Sequence, residues 1–376
     1  MTDRIQQFLR NRRDDGPILV VDSEVVRENY LTFAKALPDT RVFYAVKANP
    51  DAVILKMLTE LGSCFDCASI GEIEMVLAAG ATADRISFGN TIKKERDVAK
   101  AFEKGIRLFA VDCEVEVEKI ARSAPGSRVF CRILCDGKDA EWPLSRKFGC
   151  DPEMAPRVLE HAHRLGLTAY GVSFHVGSQQ RNTGVWDAAL ASAAGIFREM
   201  AERGINLSMV NLGGGFPTRY LKPIPGVDSY GVAIFNALRK HFGNRIPETI
   251  IEPGRGMVGN AGIIESEVVL VSKKSDTDSV RWVYLDIGKF HGLAETMDEA
   301  IRYPIRTPRD GSEMGPCVLA GPTCDSVDVM YEKEPYLLPF SLEIGDKVLI
   351  EGTGAYTTTY SSRDFNGMPG LTQIVI

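Results

Sequence analysis

The sequence has little of what several kinds of function require. Only five of its 376 residues are histidine, too few for a histidine-rich metal centre, and no metal is expected. Basic residues are outnumbered, 44 Lys and Arg against 50 Asp and Glu, for a net charge of −6. Nucleic-acid binders carry the opposite imbalance, so no nucleic-acid partner is expected. The deficit tolerates a cationic small substrate. Apolar runs of about 18 residues, the length a membrane span needs, are missing, so no membrane association is expected. The first ten residues, Met-Thr-Asp-Arg-Ile-Gln-Gln-Phe-Leu-Arg, contain no apolar leader core. A secretory signal is therefore not expected, and a cytoplasmic location is. Eight cysteines fall well short of a disulfide scaffold, and reduced thiols are expected. Cys64 and Cys67 form a C-x-x-C pair, but no second pair or nearby His completes a zinc site. Two small residues around a buried strand is the favoured reading.

What is present is ordinary globular material, 44% hydrophobic and 25% charged, in a chain long enough for about two domains or one barrel with an appendage. Eight short apolar runs recur: Val42–Lys47, Cys64–Ser69, Arg85–Asn90, Arg107–Asp112, Val129–Cys135, Ala169–Val176, Met209–Gly214 and Thr249–Arg255. Their starts fall 22, 21, 22, 22, 40, 40 and 40 residues apart. Helical spacing of apolar residues lies between them at Ala52–Leu61, Ile70–Ala79, Lys94–Lys104, Met154–Leu165 and Ala188–Arg203. Ser69 and Asp151 suit N-caps; Gly62, Gly80, Gly105, Gly166 and Gly204 suit stops. Strand alternating with helix eight times predicts an α/β fold, a (β/α)8 barrel, with an open doubly wound sheet as the alternative. A strand at Ile18–Asp22 and a helix at Ser23–Leu37 precede it. After Gly262 the rhythm becomes strand-like, at Ile263–Lys274, Val280–Gly288, Cys317–Leu319, Lys347–Glu351 and Thr372–Ile376. The expected organisation is a barrel over residues 25–262 and a β-rich domain built from 1–24 and 263–376.

Barrel chemistry sits where strands end. The run ends supply Lys47, Asp66, Asn90, Asp112, Arg132, His175, Gly213–Gly215, and Glu252 with Arg255, far more polar than the run middles. A lysine held in a protein interior loses ammonium solvation and becomes a nucleophilic amine, as a Schiff base requires; the alternative for Lys47 is a surface lysine. Gly213, Gly214 and Gly215 let backbone N–H groups approach a phosphate closely, although a tight turn is the commoner use of such a run. Arg255 suits an anion. The glycines and Arg255 occupy the seventh and eighth loops, where barrel phosphate sites recur. Glu252 suits either a salt bridge or a ring nitrogen; His175 suits either a hydrogen-bonded core position or a stacking partner. An amine, a phosphate cup and an acid for a ring nitrogen together point to pyridoxal 5'-phosphate (PLP).

These motifs also carry a resemblance. FYAVKAN at 43–49, FDCAS at 65–69, HVGSQ at 175–179, LGGGFP at 212–217, EPGR at 252–255, GPTCDSVD at 321–328 and GAYT at 354–357 resemble the barrel-fold PLP-dependent ornithine and lysine/ornithine decarboxylases, bacterial ones above all. The resemblance implies that Lys47 carries PLP, that Asp66 helps hold Lys47 or the substrate amine, and that His175 stacks on the ring. It implies that Ser178, Gly213, Gly214, Gly215, Arg255 and Tyr356 bind the phosphate and that Glu252 pairs with the pyridine nitrogen. Cys324 is then the expected proton donor to the decarboxylated carbon. Asp325 is the expected clamp on the distal ammonium, and both residues enter the neighbouring subunit's site in a homodimer. Asp298 is the second distal carboxylate, with Glu299 as its rival. Pro143 stands where the eukaryotic enzymes carry an arginine, and Arg146 is the candidate substitute for it.

The expected reaction is decarboxylation of a basic amino acid, L-ornithine to putrescine, with L-lysine to cadaverine also possible because pockets separate one methylene by only about 1–3 kcal/mol. Diaminopimelate decarboxylase is an alternative; so are a racemase, which needs a tyrosine base, and a non-catalytic PLP-binding homologue.

Overall fold

The computed structural model describes residues 1–135, 140–142 and 147–376, with the backbone alone at 140–142. Pro143 and Arg146 lie outside the described residues. Two units are resolved, one of residues 27–217 with 224–257, the other of 1–26, 218–223 and 258–376.

The eight apolar runs form eight parallel strands of a closed barrel in the first unit. They are β1 (Thr40–Ala45), β2 (Cys64–Cys67), β3 (Ile86–Phe88), β4 (Leu108–Val111), β5 (Arg128–Arg132), β6 (Thr168–Ser173), β7 (Met209–Asn211) and β8 (Glu248–Ile251). Each pairs with the next, and β8 closes onto β1 through Thr249↔Thr40. This is the α/β barrel expected, not an open sheet. Side chains alternate across a strand, and one face packs inside: Phe43, Cys64, Leu108, Ala110, Phe130, Met209 and Ile250 form an apolar plug. Two residues further along the same strands, the same inner face presents Asp66, Asp112, Arg132, Asn211 and Glu252. An apolar layer capped by a polar one is thus written into the i, i+2 register.

The five expected helices form and each ends two residues before its expected glycine stop, for example Ala52–Glu60 before Gly62 and Val185–Glu202 before Gly204. Ser69 caps as expected, accepting from the Glu72 N–H at 3.2 Å. Asp151 does not cap its helix, which begins at Ala155 after Met154. Its carboxylate instead accepts from Glu153 N–H at 2.9 Å, closing a local turn.

The second unit is a mixed eight-stranded sheet. Its N-terminal strand, Ile18–Val21, runs antiparallel to Gly262–Ser272 and parallel to Thr372–Val375. The N-terminal strand is thus a member of this sheet. One long strand, Val329–Pro339, was not among those expected. Its register against Met314–Ala320 jumps from Cys317↔Tyr336 to Leu319↔Tyr331, so the chain bulges around Pro335.

Candidate active site

The C-terminal mouth of the barrel collects most of the expected residues. Lys47 lies in a single 3-10 turn, Val46–Ala48, directly after β1. Its Nζ is 3.7 Å from Asp66 Oδ2. Interior burial was the reason for expecting a nucleophilic lysine, and this is corrected: the Lys47 side chain is 49% exposed. Its carboxylate partner is the buried member, at 5%. Asp66 accepts from Ser87 Oγ at 3.1 Å. A Cβ on Gly89 would lie 1.7 Å from Asp66 Oδ1, so only glycine leaves room for that carboxylate. Gly89 was not singled out from the sequence, where it is one small residue before the polar end of a run.

Glu252 follows β8 and is half-buried. Burial, and next the Asp66 charge, push its carboxyl up to about 7; Lys47, Asn211 and Arg132 pull in the opposite direction. Arg132, at the end of β5, is itself lowered by burial, with Glu252, Asp66 and Asp112 opposing. The sequence marks Arg132 as a strand end without assigning it a role. Here it is a third cation-bearing contributor to the mouth, and it lies 5.2 Å from the Phe148 ring.

His175 accepts from Gly177 N–H through Nδ1 at 3.0 Å, which leaves the proton of a neutral ring on Nε2. Burial, then Arg132 and Lys47, hold it well below the usual imidazole range. Nε2 faces the glycine turn, since a Cβ on Gly214 would sit 3.1 Å from it.

The turn after β7 is closely packed. A Cβ on Gly213 would lie 2.0 Å from Phe174 O, one on Gly214 2.7 Å from Glu252 O, and one on Gly215 2.5 Å from Gly177 O. Gly213, expected to face a phosphate with its neighbours, spends its N–H on Asn211 Oδ1 at 2.9 Å. The N–H groups of Gly214 and Gly215 have no partner among the described residues. Arg255, 3% exposed, reaches Ser178 Oγ at 3.3 Å from Nη2. Behind the turn, Trp186 Nε1 donates to Leu212 O at 3.1 Å and stacks on Phe216 at 5.3 Å. These contacts hold the turn from outside the barrel.

A buried guanidinium beside a hydroxyl, a turn too tight for side chains, a carboxylate with a raised affinity for a proton and an amine at the same mouth are a donor set that fits PLP. Residues 23–259 match the family model described as "Pyridoxal-dependent decarboxylase, pyridoxal binding domain". The chain belongs to that family. This decarboxylase is 35% identical over 358 residues to a lysine/ornithine decarboxylase of Selenomonas ruminantium, covering 95% of this chain and 88% of that one. It is also 35% identical, over 98% of this chain and 82% of the other, to an antizyme inhibitor 2 of Xenopus laevis. A crystal structure of a Vibrio vulnificus lysine/ornithine decarboxylase with cadaverine superposes with a TM-score of 0.88. It is 32% identical, covering 99% of this chain and 97% of that one. PLP is the cofactor. No helix among the described residues is long and apolar enough to cross a membrane.

The remaining expected residues belong to the second unit. Cys324 is exposed, its N–H bonded to Asn366 Oδ1 at 2.8 Å. Asp325 Oδ1 accepts from Val327 N–H at 2.9 Å. Tyr356 has φ +56° and a half-buried ring 5.9 Å from Tyr360. Asp298 is 86% exposed and pairs with Lys333 at 3.4 Å. Glu299 differs sharply. It accepts from the N–H groups of Glu332, Lys333 and Glu334 and from Arg302 Nη1 at 2.7 Å. Those three N–H groups lie in the bulge around Pro335, so Glu299 replaces the sheet partners that the bulge removes.

Proposed function

We propose that this decarboxylase converts L-ornithine to putrescine and CO2, and accepts L-lysine as a second substrate. The observation that carries the reading is the barrel mouth itself: Lys47 Nζ stands 3.7 Å from Asp66, above the same inner layer that presents Asn211 and Glu252. The names of the Selenomonas and Vibrio relatives support the choice of a basic amino acid.

PLP, when bound, supplies a sink for the electrons of the broken Cα–carboxylate bond. The protein does the rest. Lys47 holds the cofactor through Nζ, with Asp66 balancing the amine's positive charge. Arg255, Ser178, Gly214 and Gly215 hold the phosphate, and Gly213, its N–H committed to Asn211, shapes the turn. Glu252 pairs with the pyridine nitrogen and keeps a proton there. His175 offers a neutral ring face. Cys324 hands a proton to Cα after CO2 leaves. Asp325 and Asp298 hold the distal ammonium, and their two negative charges favour a side chain that carries a second positive charge over a neutral one. The commitment of Glu299 to the bulge favours Asp298 as the second distal carboxylate. In this reading the barrel, residues 25–262, carries the cofactor. Residues 1–24 with 263–376 carry Cys324 and Asp325 into the site of a second copy, so the working unit is a homodimer.

CO2 release from ornithine, lysine, arginine and diaminopimelate with added PLP tests the substrate. Ornithine is expected to give the largest kcat/KM, with lysine within about 10–200-fold of it; a preference for diaminopimelate overturns the proposal. A relative named as an antizyme inhibitor rather than as a decarboxylase favours a second reading, a homologue without turnover, which the same assay reports as no CO2 from any substrate.

A further inference from the structure

We infer that Asn211 is a positioning residue, closing a three-membered ring of hydrogen bonds that fixes Glu252 relative to the glycine turn. The inference rests on the function proposed above and adds to it the residue that aims the ring-nitrogen carboxylate. Asn211 is the last residue of β7 and 1% exposed. Its Oδ1 accepts from Gly213 N–H at 2.9 Å, and its Nδ2 donates to Glu252 Oε1. Glu252 N–H in turn donates to Gly213 O at 2.8 Å. The ring therefore joins the ends of β7 and β8.

The first bond dictates the second. A backbone N–H only donates, so the amide oxygen of Asn211 must face Gly213 and the NH2 group must face Glu252. A donor aimed at a carboxylate favours its charged form. Asn211 thus restrains Glu252 against the burial and the Asp66 charge that push a proton onto it. The other charged groups around Glu252 are Lys47 after β1 and Arg132 at the end of β5, both pulling the same way as Asn211. Neutral His175, after β6, contributes no charge. Asn211 is the uncharged member of this set, and its amide satisfies both neighbours at once.

Aspartate does the same only while the pair holds a proton. Its second oxygen would face Glu252 Oε1, and two carboxylates in contact cannot both ionise, so one must hold a proton. The test compares Asn211→Asp, Asn211→Ala and the wild-type holoenzyme and apoprotein. The readouts are the PLP dissociation constant by fluorescence quenching, its pH dependence, and kcat against KM for ornithine. Both variants are expected to weaken PLP binding about tenfold and to move the midpoint of its pH dependence upward by about one unit. Kcat falls while KM for ornithine stays within about threefold. A residue that serves the fold alone lowers thermal stability without moving that midpoint. Asn211→Ala adds no charge and keeps the test open where Asn211→Asp does not fold. Wild-type affinity and an unmoved midpoint in a folded variant overturn the inference and leave the proposed function standing. A wild-type protein that binds no PLP overturns both.

Discussion

Lys47 and Lys93 both follow barrel strands of this protein, and their surroundings are opposite. Lys93, beyond β3, is 0% exposed and meets Glu116 Oε1 at 2.9 Å. Its Nζ also donates to Asn90 O at 2.7 Å and Ala110 O at 2.6 Å. Burial pulls it down to about 8 despite the Glu116 charge. Lys47, beyond β1, is half exposed beside a buried Asp66. By the usual logic that perturbed ionisation marks function, Lys93 is the catalytic candidate. Its partners argue otherwise. Three acceptors enclose its ammonium, and nothing in that arrangement releases the amine to a substrate. The lesson is that a lowered lysine records burial, whereas a usable lysine is one whose side chain stays half exposed beside a fixed carboxylate.

The widest separation of the two comes from Lys47→Ala. Activity should fall by about 10³-fold or more while the melting temperature stays near wild type. The visible absorbance of the PLP-bound protein should be lost with it. Mixed with Cys324→Ala subunits, the Lys47→Ala protein should regain part of the activity if sites are shared between copies. A variant that keeps both absorbance and turnover would place the reactive amine elsewhere, with Lys93 first in line.

Next in size is Lys93→Met. Glu116 then keeps only Lys119, at 2.5 Å, and two carbonyls lose a donor. Stability should drop by about 2–4 kcal/mol in urea unfolding, with kcat/KM per folded molecule unchanged. A loss of kcat/KM in fully folded protein would dissolve the distinction between the two lysines.

The sequence already contained much of this contrast, unevenly. The eight runs were legible because parallel strands buried on both faces read as continuous apolar stretches. Their polar ends marked the mouth. The strands stop two residues before those ends at Lys47, Asn90 and His175, because functional side chains there begin where the ladder stops. The helix Glu114–Ser123 was not legible. Glu-Val-Glu-Val-Glu alternates like a strand, yet the chain is helical, with Val115 71% exposed and Glu116 buried against Lys93. Only the contact with a lysine 23 positions earlier makes sense of that pattern. The strand across Pro335 was hidden for the related reason that proline argues against a central strand, and Glu299 supplies the compensation from 33 residues away. Asn211 carries no signal of its own beside the three glycines at 213–215. Its role depends on Glu252, 41 residues on. What the sequence shows poorly is pairing across distance, which is where Lys93 and Asn211 get their meaning.

Glu252 offers the smallest and sharpest test, because its shift, unlike that of Lys93, accompanies an open site. In the apoprotein its carboxyl lies at about 7 against an ordinary 4.5. Between those values the folded protein holds a proton that the unfolded chain has released, so stability must fall as pH rises. Below about 4.5 both states are protonated and the effect is absent; above about 7 both are ionised and the loss is complete. Glu252→Gln removes the titration while its amide oxygen still accepts from Asn211. The melting temperature of the variant should therefore gain on wild-type apoprotein by a few degrees between pH 5 and pH 7.5, then run parallel to it. A constant difference across that range would mean that the site, too, owes its charge state to a closed set of partners, and the contrast with Lys93 would fail.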